Sequence, residues 1–212
     1  MSIRFENFIA ELEKNLSKDL PGIDAHKLMM PEGRKFDISS ANTPTKSAVM
    51  ILLYENNNQV FFNLILRAKY NGHHSGQMAL PGGKHEINDS SLIETALRET
   101  EEEIGINSNS IYTIGTMSEL YIPITNILVQ PVIGYLNHKP DFTINKHEVD
   151  TLFEININDI INPLNKEYEH RNINGDILNI PFYNLQSQKV WGATAMILSE
   201  FEIIINKINH LN

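Results

Sequence analysis

Between Ser91 and Gly105 the chain carries a helix signalled at both ends and dense in carboxylates. Ser91 precedes Glu94 by three residues, the spacing of a capping box, and Gly105 stands where a helix closes on a left-handed residue. Taking Glu99 as zero, a turn of 100° per residue puts Glu102 near 300° and Glu103 near 40°, with Ile93, Leu97 and Ile104 between about 120° and 160°. The carboxylates are therefore expected on one face and the buried apolar residues on the other. Like charges at these spacings repel by a few tenths of a kcal/mol, roughly, for each helical pair, and a divalent cation relieves the repulsion. A face offering only oxygen ligands suits Mg²⁺ or Mn²⁺, which keep several waters and bind substrate phosphates directly. Arg98 lies four residues from both Glu94 and Glu102, so it is expected to pair with them and orient the carboxylates. A glutamate run by itself more often marks a solvated helix face, and the context has to decide.

That context is mixed α and β. Ala48 to Tyr54 and Val60 to Leu66 flank the polar stretch Glu55 to Gln59, a hairpin pattern. Further strands are expected at 111–117, 127–136, 148–154 and 177–183. Residues 3–18 space Phe5, Phe8, Ile9, Leu12 and Leu16 as an amphipathic helix, and 193–208 form a C-terminal helix. The N-terminal stripe is expected to pack on the body or on a second copy, so a homodimer is compatible with it. Residues 1–45 then read as a helix and connecting arm, and 46–212 as one α/β (α+β) domain.

Composition removes other classes. With no cysteine among 212 residues, disulfides, thiolate zinc sites and cysteine nucleophiles are excluded. A net charge of -9 argues against a nucleic-acid partner, which needs clustered Lys and Arg. No basic and apolar leader opens the chain and no apolar run is long enough for a bilayer, so no membrane partner and a cytoplasmic location are expected.

Gly83, Arg98, Glu99, Glu102, Glu103 and Gly105 resemble the signature of the Nudix hydrolases, with Arg-Glu-x-x-Glu-Glu-x-Gly matched without a gap. The resemblance implies an α/β/α sandwich with a mixed sheet and metal-dependent hydrolysis of a nucleoside diphosphate linked to another group. It places Glu99, Glu102 and Glu103 at the metal, with Arg98 beside them and Glu99 first among candidates for general base. Glu148, beyond the signature, is a reserve base. Between Gly83 and Arg98 the chain has one residue more than the family pattern, leaving the leading acidic position open between Glu86 and Asp89.

That longer spacing is similar to the coenzyme A diphosphatase subfamily. So is the upstream stretch, from Arg67-Ala68 through His74-Ser75-Gly76-Gln77 to Leu80-Pro81-Gly82-Gly83-Lys84, although Leu80 and Asn71 replace a frequent Phe and Leu. Tyr121-Ile122-Pro123, Gln130-Pro131-Val132 and Trp191-Gly192-Ala193-Thr194-Ala195 extend the likeness. The implied substrate is a small molecule, coenzyme A or a derivative. Arg67, His74, Gly76, Gln77, Gly82 and Gly83 are the implied substrate-binding residues, and a structural role for His74 stays open. ADP-ribose, a nucleoside triphosphate or a silent nucleotide-binding module are the alternatives. Gly82-Gly83-Lys84 is no P-loop, because His85 stands where Ser or Thr should hold magnesium.

Overall fold

The computed structural model describes residues 1–33, 43–69, 76–173 and 175–208. Strand β1 (Thr45–Asn56) is the spine, because its residues are buried on both faces. Ala48, Met50, Leu52 and Tyr54 enter one core, whereas Ile51 and Leu53 enter the other. This period-two division explains why the strand reads as an unbroken apolar run.

Helices α1 (Ile3–Leu16) and α2 (Ile23–Leu28) precede it, and β2 (Gln59–Arg67) returns from it. The expected five-residue polar turn shrinks to two, Asn57 and Asn58, both at positive φ, with Asn56 paired to Gln59. Asparagine tolerates that conformation, and a two-residue turn matches the twist of the strands. Short β3 (Met78–Ala79) and β4 (Gly82–Lys84) lead to α3 (Leu92–Ile104). Next come β5 (Tyr112–Thr116), β6 (Leu120–Ile122), β7 (Ile127–Tyr135) and β8 (Val149–Asn156). Then follow α4 (Ile157–Ile161), β9 (Lys166–Ile173), β10 (Asp176–Leu185), β11 (Gln188–Trp191) and α5 (Gly192–Ile205).

The main sheet runs β3-β2-β1-β7-β5, with β4 on β1, β6 on β7 and β8 on β2. It is mixed, since β1 is parallel to β7 and antiparallel to β2 and β4. A second sheet, β11-β10-β9, is antiparallel. Helix α3 covers one face through Ala96 and Ile104, and α1 and α5 cover the other through Phe5, Phe8, Leu12 and Phe201. The result is the expected sandwich of helices around a mixed sheet. The N-terminal helix belongs to the main core, and each buried Phe or Leu contributes about 1.5–3 kcal/mol of apolar burial. Among the described residues no helix is long and apolar enough to cross a membrane.

On α3 the sequence placed Ile104 and Leu97 on the core side as found, but misjudged Ile93 and Glu103. Ile93 is 37% exposed, whereas Glu103 is 1% exposed, alongside buried Thr95, Ala96 and Thr100. The buried stripe is rotated toward Glu103 because that carboxylate meets backbone and Arg67 at the sheet instead of water.

Candidate active site

The site forms where the end of β2, the β4 strand, helix α3 and the turn before β8 meet. Ser91 caps α3 by accepting from the Glu94 amide at 3.2 Å, and Gly105 closes it at φ 74°. This sets the axial position of every glutamate between them. Gly83 runs so close to the helix that a Cβ there would overlap the Glu99 carboxylate. The neighbouring Gly82 amide donates to Glu103 Oε2 at 2.9 Å, and Arg67 Nη1 lies 3.6 Å from Glu103 Oε1.

Glu99, Glu103 and Glu148 each offer a carboxylate oxygen, and these oxygens lie within 4.8 Å of one another. Glu148 arrives through a turn stitched on two sides. Its carbonyl accepts from Ala68 N at 2.8 Å, and Asn145, which donates to Glu148 Oε1 at 3.2 Å, has its own amide on the Glu103 carbonyl at 2.9 Å. The sequence held Glu148 only in reserve. The available signal was its place ahead of a strand, but no local pattern reveals that the strand pairs with β2.

Glu102 stands apart from this trio, half in solvent with its side chain 51% exposed, where it accepts from Arg98 Nη1 at 2.8 Å. The same nitrogen donates to Glu99 Oε1 at 3.0 Å. Arg98 does not pair with Glu94, contrary to the sequence expectation; Glu94 instead accepts from the Ser90 amide. Asp89 takes its place, accepting from Arg98 Nε at 2.9 Å and Nη2 at 3.1 Å and from Thr95 Oγ1 at 2.8 Å. The open choice between Glu86 and Asp89 thus resolves to Asp89 as the partner of Arg98. The guanidinium holds the Asp89 carboxyl well below the usual range.

Positive charge at the cluster is short of the carboxylates it faces: Arg67 lies beside Glu103, and Arg98, beside Glu99, is shared with Asp89 and Glu102. Burial pushes the Glu103 carboxyl up to about 8, despite the Gly82 amide and Arg67. Burial likewise raises Glu99, against the opposing pull of Arg98. Three hard oxygen donors with so little compensation fit a divalent cation such as Mg²⁺ or Mn²⁺. Nudix hydrolases generally use divalent metal ions.

Beside the carboxylates opens a cleft of about 460 Å³. Arg67, Gln77, Gly82, Gly83 and Lys84 line its polar end, and Ile122, Ile124, Ile127, Val129 and Ile197 its apolar wall. Trp191, Gly192, Ala193 and Thr194 close it where β11 becomes α5. Among the expected substrate residues Arg67, Gln77, Gly82 and Gly83 meet here, while Gly76 is exposed at positive φ just before Gln77. His74 lies outside the described residues.

The sequence matches the NUDIX domain over residues 44–174. It is 30% identical over 204 residues to an uncharacterized Nudix hydrolase, NudL, of Yersinia enterocolitica, covering 95% of this chain and 98% of the relative. In fold it is similar to the Nudix hydrolase RenU of M. smegmatis, with a TM-score of 0.56, 17% identity and coverage of 87% and 97% of the two chains. A MutT/nudix family protein from Enterococcus faecalis aligns with a TM-score of 0.51 and 19% identity, over 82% and 67% of the two chains. The chain therefore belongs to the Nudix family, hydrolases of nucleoside diphosphate derivatives.

Proposed function

We propose that this enzyme hydrolyses the diphosphate of coenzyme A and its derivatives, yielding adenosine 3′,5′-bisphosphate and 4′-phosphopantetheine products. The observation that carries the reading is the cleft itself. It joins Arg67, Gln77 and the Gly82-Gly83 backbone, next to the carboxylates, to an apolar wall suited to an uncharged arm. The upstream stretch from Arg67 to Lys84, whose likeness is to the coenzyme A diphosphatases, supplies that polar end.

In this reading Glu99, Glu103 and Glu148 would hold the cation, whose charge would neutralise the diphosphate and make a bound water more acidic. Arg67, partly exposed beside Glu103, supplies a guanidinium to a phosphate oxygen. Arg98, clamped by Asp89, orients Glu99 and Glu102. Glu102 flanks the site from the solvent side and shares Arg98 Nη1 with Glu99. Glu148, the exposed member of the trio, accepts the proton of the attacking water as a phosphorus–oxygen bond of the diphosphate breaks. Glu99 is less free to do so, because the donor on its Oε1 is the Arg98 cation, whereas the donor on Glu148 Oε1 is the neutral amide of Asn145.

Purified protein with magnesium and a panel of coenzyme A, ADP-ribose and nucleoside triphosphates, with products separated by chromatography, tests the reading. Coenzyme A should give the highest kcat/KM. Equal or better turnover of ADP-ribose overturns it.

A further inference from the structure

The cleft has two unlike walls, and the order of the strands says where they stand. Its floor is Ser47 and Val49 of β1, paired with Lys84 and Gly82 of β4. On the β7 side rise Ile122, Ile127 and Val129, with Ile122 paired to Ile127 and Val129 beside Ser47. On the β3 side stand Met78 and the start of α5, joined where Thr194 Oγ1 donates to the Met78 carbonyl at 3.3 Å. Trp191, half-buried at the head of that second wall, is the one aromatic side chain among the described residues that line the cleft. The Arg171 guanidinium lies 4.7 Å from the centre of its ring, yet Arg171 does not line the cleft, so it covers the indole from behind. Strand register sets Arg171 on one face of the second sheet with Glu167, Glu169 and Asp176, and Glu169 accepts from its Nε at 2.9 Å. The guanidinium is thus neutralised and held, and what it gives the cleft is a fixed backing for the ring. A ring restrained beforehand loses less freedom when a ligand meets it.

We infer that Trp191 is the platform on which the nucleobase of the substrate stacks, while the isoleucine wall opposite takes the other half of the molecule. That the substrate has a base follows from the activity of the family; that the base is adenine rests on the coenzyme A reading. A diphosphate held at the Gly82-Gly83 end carries one substituent toward each wall. A planar base gains from lying on an indole whatever its identity, whereas branched aliphatic side chains offer no such face and suit a flexible arm. Trp191 then sets affinity and the orientation of the substrate without touching the bond that breaks.

Trp191 is the only tryptophan in the sequence, so its fluorescence reports on the platform directly. In the wild type, adenosine 5′-monophosphate should quench that emission, and 4′-phosphopantetheine should leave it little changed. As an inhibitor of the wild type, adenosine 5′-monophosphate should bind roughly tenfold more tightly than ribose 5-phosphate, which lacks the base. Trp191→Leu should raise KM roughly tenfold with kcat held within about twofold, and Trp191→Phe should recover most of the loss. A role confined to packing would lower the melting temperature of Trp191→Leu and leave its KM alone. Emission unmoved by adenosine 5′-monophosphate at concentrations that inhibit, stronger quenching by 4′-phosphopantetheine, or equal inhibition by the nucleotide and the sugar phosphate overturns the inference. With coenzyme A still the best substrate, any of these removes the platform and leaves the coenzyme A reading standing. Quenching and inhibition as expected, with ADP-ribose the better substrate, keeps the platform and removes coenzyme A.

Discussion

Helices α3 and α5 both bury carboxylates, and they treat them in opposite ways. On α5, Glu200 is fully buried and receives Gly22 N at 2.9 Å, His26 Nε2 at 3.1 Å, Ser118 N at 3.2 Å and Ser118 Oγ at 2.6 Å. Burial pushes its carboxyl up, but these partners together outweigh that and leave it below its ordinary value. Glu202 is similarly served by Lys166 and Tyr183, each at 2.7 Å. On α3, Glu103 has one backbone amide, an arginine at 3.6 Å and two carboxylate neighbours. A carboxylate that ties the arm to the core is satisfied within the protein, whereas one kept for a ligand is left short of positive charge.

The largest effect expected is on the satisfied side. Glu200→Ala should cost about 3–5 kcal/mol in denaturant unfolding, because it strands His26 and two backbone amides in the core. A loss under 1 kcal/mol, roughly, would mean that water replaces the carboxylate and would dissolve the contrast. The counterpart is Glu103→Gln, which should reduce kcat at least ~100-fold while melting at or above wild type in chelator, since the cost of burying an ionisable carboxyl is gone. It should also lose most of the stabilisation that millimolar magnesium gives through linkage. Easier unfolding in chelator with activity retained would make Glu103 a structural partner like Glu200.

Asp89→Asn should come next, lowering kcat about tenfold by freeing Arg98 from its bidentate clamp, with a smaller loss of melting temperature. Glu102→Gln should do less harm to magnesium affinity than Glu103→Gln does. A titration ranking them the other way would return Glu102 to the metal.

The smallest effect is the pH dependence in chelator. Glu103 binds its proton more tightly folded, at about 8, than at its ordinary 4.5, so its ionisation should erode stability as pH rises through that interval. Glu200 has the opposite sign: its contribution is present above the ordinary carboxylate value and lost as pH falls below it. Melting curves should therefore flatten on the alkaline side in Glu103→Gln and on the acid side in Glu200→Gln. Identical profiles for both variants and wild type would remove the charge argument.

Much of this was legible locally. The limits of α3 followed from Ser91 and Gly105, whose backbone chemistry acts within a few residues, and the apolar run Ala48 to Tyr54 announced a buried strand. The spacing of Arg98, Glu99, Glu102, Glu103 and Gly105 pointed to the family because fewer than three helical turns set those neighbours. What periodicity could not supply was the direction of burial. It put Ile93 inside and Glu103 outside, because hydropathy cannot anticipate that a backbone amide from Gly82 and a guanidinium from β2 will receive a carboxylate. Nor could it choose Asp89 over Glu86, which depended on the fold of the loop before α3. Glu148 lies 45 positions beyond Glu103 and joins it only because β8 pairs with β2. Arg171 and Trp191 meet only across three strands of a separate sheet. Helix ends and strand faces are encoded within a few residues of themselves, but the company a charge keeps is decided by chain closure over long loops, which only the tertiary structure determines.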